Sequence, residues 1–86
     1  MMWVYFRRFW EGNYLGPWSF DGWESPGNAT VDKAHDLTHI NRAEYEGYIC
    51  DLVKGLYDLN TGQYAKWVWL ETLATQRKAK SKWWPW

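Results

Sequence analysis

The sequence predicts an α+β domain in which an N-terminal β-hairpin packs on two or three helices around an aromatic-rich core. Three observations lead there. Residues 2–10 are dense in side chains that suit a pleated sheet. Residues 41–59 carry an apolar arc at helical spacing. Nine Trp and six Tyr supply the bulk that a small aliphatic set cannot.

The first strand spans 2–10, where Trp3, Val4, Tyr5, Phe6, Phe9 and Trp10 make both faces apolar. Glu11-Gly12-Asn13 is a turn of hairpin length, and Tyr14–Phe20 returns as the second strand. Pro17 lacks an N–H for a ladder, so this strand is expected at an edge or broken there. Residues 21–29 hold Gly, Pro, Ser, Asn and Asp and read as a loop that carries Trp23.

Thr30–Ile40 reads as a short helix capped by Asn28 or Thr30. A second helix is expected from Asn41 to Leu59. Asn41 is a good cap, with Glu44 three residues on, and Tyr45, Ile49, Leu52, Val53, Leu56 and Leu59 share one arc. Gly47 and Gly55 lie on the other side and read as tolerated in the helix, in preference to marking the close approach of another backbone. Gly62 stops it. Length and composition favour a further helix over 63–80. Read as a strand instead, Tyr64, Val68 and Leu70 face one way and Trp67 and Trp69 the other. The expected division is one compact unit over 1–76 and a basic, Trp-rich C-terminal tail over 77–86.

Leu, Ile, Val and Phe make up only 16 of 86 residues, a level that alone would suggest disorder. The aromatic content and zero formal net charge argue for a folded chain. The charge is unevenly placed: residues 1–62 carry nine acids and five bases, while residues 63–86 carry one acid and five bases. Such poles suit either docking of the tail on the body or a polar partner surface. Cys50 is alone, which excludes an internal disulfide and Cys-rich zinc sites. In Met1–Arg8 the charges follow the apolar stretch, unlike a signal peptide, and nothing approaches the ~18 apolar residues of a membrane span. A cytoplasmic, reducing location is expected.

His35 and His39 stand four apart, with Asp32 and Asp36 on the same helical stripe. Two imidazoles and a carboxylate suit zinc or iron, which would make a metal-dependent hydrolase. The preferred reading is plainer: the acids favour the helix N-terminus, the imidazoles sit on a solvated face, and neither metal nor other cofactor is expected. Cys50 reads as a small hydrophobe in the 41–59 helix, so no catalytic residue is assigned. Acids from Glu11 to Asp58 form a sparse acidic face that reads mainly as a device for solubility. Arg77, Lys78, Lys80 and Lys82 precede Trp83, Trp84 and Trp86, a mixture that can neutralise phosphates and stack on bases.

The function these features favour is non-enzymatic binding of a protein partner through exposed aromatics. Trp10, Trp18, Trp23, Trp83, Trp84 and Trp86 are the candidate contact residues, because Trp is among the commonest hot-spot residues. In size and style the chain is similar to the small inhibitor proteins that phages make against host enzymes or defence complexes, although no family motif carries that likeness. Nucleic acid is the second partner class, through Arg77, Lys78, Lys80 and Lys82. A homodimer is a further form of partnership, and a membrane is not an expected partner.

Overall fold

The structure, a computed structural model, describes residues 1–74. Over these residues it replaces the hairpin-on-helices architecture with a mostly β one, 51% strand among the described residues, in which a single curled sheet forms a half-barrel beside one helix. The elements run β1 (Met2–Glu11), β2 (Tyr14–Leu15), β3 (Ser19–Glu24), α1 (Ala29–Glu46), β4 (Cys50–Asp58) and β5 (Gln63–Leu73).

The first hairpin forms as its residues suggest. β1 turns at Gly12 and Asn13 so that Glu11 faces Tyr14 and Trp10 faces Leu15. The chain then breaks around Pro17 and resumes as β3, which pairs with β1 from Trp3↔Glu24 to Arg7↔Ser19. The expected loop over 21–29 shrinks accordingly, because Asp21–Glu24 belong to β3. A bulge between Tyr5 and Phe6 re-aims the β3 register at Asp21. On its other side β1 pairs antiparallel with β4, and β4 with β5.

α1 starts where a cap is available. The Asn28 side chain accepts from the Val31 N–H at 2.9 Å, and Asp32 in the first turn accepts from the Gly27 N–H at 2.8 Å. Asn41 is no cap: the helix runs through it to Glu46 and stops at Gly47, at φ 75°. Tyr48 donates back to the Ala43 carbonyl at 3.0 Å, which closes the helix end.

The predicted helix over Asn41–Leu59 is therefore wrong beyond residue 46. Gly47 adopts a left-handed conformation that ends the helix, and Cys50–Asp58 extend as β4. Both sides of β4 carry apolar residues, so its composition passes for a helical arc. The helix favoured over 63–80 is likewise replaced by β5 for residues 63–73. The 1–76/77–86 division falls at the limit of the described residues.

The core is small. Ala43, Cys50 and Leu52 form its buried centre, with Phe9, Ile40, Tyr48, Leu70 and Leu73 packed around it. Trp3, Val4 and Tyr5 are buried as well, yet four of the six described Trp are exposed. Most of the described Trp thus lie at the surface and not in the predicted aromatic-rich core. Among the described residues no helix is long and apolar enough to cross a membrane.

Candidate functional site

The sheet has two unlike faces. Directly paired residues share a face, so the register sorts them. Trp3, Tyr5 and Arg7 of β1 and Leu52, Lys54 and Leu56 of β4 lie on the side where α1 packs. Val4 and Phe6, with Gly55 and Val53, lie on the other.

Under the helix the contacts are largely polar. The Tyr5 ring stacks on His39 with centroids 3.8 Å apart. Its hydroxyl donates to Asp36 at 2.7 Å, and the buried Lys54 ammonium reaches the two Asp36 oxygens at 2.8 and 2.9 Å. The Trp3 ring covers that ammonium at 4.1 Å. Burial, together with the Asp36 charge, pushes the Tyr5 phenol well above its ordinary pKa. His39 sits between Asp21, 3.0 Å from Nδ1, and Glu24, 3.3 Å from Nε2. Arg7 and Arg42 also bind Asp21. Burial alone would raise the Asp21 pKa, but the His39 hydrogen bond and the two guanidiniums hold it below the usual carboxylate range.

The expected solvated His pair is corrected here. His39 is 5% exposed and is a structural member of the helix–sheet interface. His35 reaches only the other Glu24 oxygen, at 3.4 Å. Among the described residues no group of three or more His, Cys, Asp or Glu could hold a metal ion. Cys50 is buried at the head of β4 and not in a helix, and burial pushes its thiol pKa up to about 11.

The opposite face is open and aromatic. Two cross-strand rows cover it: Trp23–Val4–Gly55–Trp67 and Phe20–Phe6–Val53–Trp69. Three of the four outer-strand positions in these rows are Trp and the fourth is Phe, while three of the four central positions are Val or Gly. The result is a trough between two aromatic walls. Phe20, Trp23, Trp67 and Trp69 are between 53% and 61% exposed, and Trp18, in the break before β3, is 42% exposed. Trp18 and Trp69 meet edge to face at 6.3 Å. With Phe6, Val53 and Trp67 they line a hollow of about 500 Å³.

Gly55 makes this trough. A Cβ built there would lie 2.6 Å from Tyr64 Cδ1 and 2.7 Å from Trp67 Cζ3. The glycine admits the close approach of two rings, 4.4 Å apart, and not of a backbone. A bulge between Leu56 and Tyr57 shifts β5 so that Tyr64 joins this face, against the alternation that the strand reading gave it. At one end Arg8 donates to Asp51 at 2.9 Å, and its guanidinium lies 4.5 Å from the Trp18 ring centre.

Of the predicted contact residues, the fold brings Trp18 and Trp23 to this open face. Trp10 is half-buried near the end of β1 with its indole N–H buried and unpartnered. Trp83, Trp84 and Trp86, like Arg77, Lys78, Lys80 and Lys82, lie outside the described residues. The residues missed are Phe20, Trp67 and Trp69. The Trp67/Trp69 spacing of two was the signal, and it counts only once 63–73 is read as a strand.

No family model, no curated protein and no solved structure matches this chain.

Proposed function

We propose that the chain is a non-enzymatic protein-binding module whose contact surface is the open aromatic face of its sheet. One observation carries this reading: five large rings, Trp18, Phe20, Trp23, Trp67 and Trp69, each between 42% and 61% exposed, share a face that no element of the described fold covers, and three of them, Trp18, Trp67 and Trp69, line its hollow. A soluble monomer rarely shows a contiguous apolar patch beyond about 300–600 Å², and larger ones mark interaction sites. At roughly 150–250 Å² per aromatic side chain, the exposed parts of these five rings amount to about 400–670 Å². Phe6 and Tyr64 extend the patch.

The chemistry of the face favours protein over nucleic acid. Its one base among the paired positions, Arg8, is already bound to Asp51. Recognition of a phosphate chain draws on free cations along the stacking platform, and the bases proposed for that role belong to residues 77–82. The polar cluster around His39 and Asp36 is covered by the helix and serves to hold it.

The test compares wild type, Trp18→Ala and Trp23→Ala as bait in a native extract, followed by affinity measurement with the captured protein. Loss of an exposed hot-spot ring worth about 2 kcal/mol weakens binding roughly thirtyfold, with melting temperature little changed. Capture of bulk nucleic acid, or variants that bind as wild type does, would overturn the reading.

A further inference from the structure

Resting on the protein-binding reading of the same face, we infer that the partner seated there is a second copy of this chain, in a two-fold dimer that packs trough against trough. Area is the first argument. A stable association buries about 800 Å² per partner. The five exposed rings supply more than half of that, and Phe6, Tyr64 and the strand surfaces between the walls extend it toward the full area.

Composition is the second argument. Homodimer interfaces are more apolar than interfaces between proteins that also live apart. Across the two rows every paired residue is Trp, Phe, Val or Gly. The adjoining charged pair, Arg8 and Asp51, is joined within the chain at 2.9 Å, with the other Asp51 oxygen buried and unpartnered. The two rows themselves carry no charge for a charged partner to complement, whereas they match their own copy.

Shape is the third argument. A two-fold interface must be self-complementary, so every projection needs a recess on the same surface. This face has both. Phe20 and Trp23 project from β3 along one side of the trough. The hollow lined by Phe6, Trp18, Val53, Trp67 and Trp69 lies beside them, with Phe6 and Phe20 in edge-to-face contact at 6.5 Å. Turning one copy over the other seats each β3 wall in the opposite trough. Sheets packed face to face lie about 10 Å apart, a gap filled by interdigitated side chains of this size.

The experiment is sedimentation equilibrium or light scattering of the full chain across a dilution series, with Phe20→Lys and Trp67→Lys as variants and circular dichroism as the check on folding. The expected result is twice the 10.4-kDa chain mass, self-association weakened roughly a hundredfold by either lysine, and unchanged dichroism. A wild-type chain that stays monomeric at every concentration overturns the second copy whatever the variants do, including a variant that fails to fold. A dimer that survives both lysines in folded protein also overturns it, since its interface is then elsewhere, such as the β5 edge. A monomer that dimerises only after truncation at Ala74 overturns it too, because the chain's own terminal segment is then the resting occupant. If the wild type is monomeric but Trp18→Ala still loses a captured partner, the dimer falls and the protein-binding reading stands. If neither self-association nor capture depends on these rings, both fall.

Discussion

The two faces of one sheet make opposite use of their residues. On the helix side, β1 and β4 place Tyr5, Arg7 and Lys54 inward, and each finds a carboxylate, Asp36 or Asp21. On the far side the same strands place Val4, Phe6, Val53 and Gly55, flanked by rings that pack largely on one another. The chain thus buries polar groups and exposes apolar ones. A buried cluster of hydrogen bonds and ion pairs defines one geometry for the helix–sheet interface because each of these groups, if left unpaired, would cost its full desolvation. An exposed ring face contributes little to holding the monomer together and is available to a partner. The comparison predicts that changes on the helix side are read out as stability, while changes on the open side are read out as association.

The largest effect is expected at Leu52, 1% exposed at the core beside Ala43 and Cys50. Leu52→Asp places an unpaired charge there, at a cost of about 3–5 kcal/mol. Total stability for a small domain is about 5–15 kcal/mol, so the variant should melt far below wild type or not fold. Near wild-type melting would mean that the helix does not cover this face.

Next is Gly55→Ala, which connects the two faces. The added methyl meets Tyr64 and Trp67 at 2.6–2.7 Å, so the rings must shift. Overpacking of this kind costs about 1–3 kcal/mol. The expected signature is a lower melting temperature with altered Trp fluorescence, since the ring wall itself moves. A variant that melts and fluoresces as wild type does would remove the trough geometry.

Acid should act on the helix side alone. Asp21 is held below its ordinary pKa by His39, Arg42 and Arg7 against the opposing effect of burial. A depressed carboxylate stabilises the fold fully above its unfolded value of about 3.9, and that contribution is lost as pH falls through the lower folded value. Melting followed downward from pH 5 should show this loss, and Asp21→Asn should be less stable at neutral pH with a flatter acid limb. An unchanged acid limb would separate Asp21 from the network.

These features were unequally legible in the sequence. The hairpin start, the break at Pro17 and the Asn28 cap follow from local chemistry that tertiary packing does not change. The 41–59 segment misled because Leu52, Val53 and Leu56 satisfy a helical arc, whereas on the strand Leu52 and Leu56 face the helix and Val53 the trough. A strand with apolar residues on both sides loses the alternation that would identify it. Gly47 was the usable sign: a glycine inside an otherwise helical pattern marks a C-cap as readily as a tolerated residue. Tyr64 was beyond sequence reading, since its face depends on a bulge in the β4–β5 pairing. On a helical wheel Lys54 falls opposite the apolar arc, yet on the strand it is buried against Asp36 and Trp3.

The smallest effect on stability is expected at Phe20, and it sharpens the comparison most. Phe20 is 61% exposed and meets Phe6 only edge to face. In a monomer, Phe20→Ser removes a ring that was already mostly in water, and surface changes of this kind stay within about 0.5 kcal/mol. In a dimer the same ring is buried by the partner copy, and association adds to apparent stability by mass action. The two cases separate on dilution. Wild-type melting temperature should fall as the protein is diluted, and the gap between wild type and Phe20→Ser should narrow toward nothing. At Leu52 the gap should persist at every concentration, because that residue acts within one chain. A Phe20→Ser deficit that is large and independent of concentration would show the ring to be part of the monomer's own core, and the distinction between a face that holds the fold and a face that receives a partner would be lost.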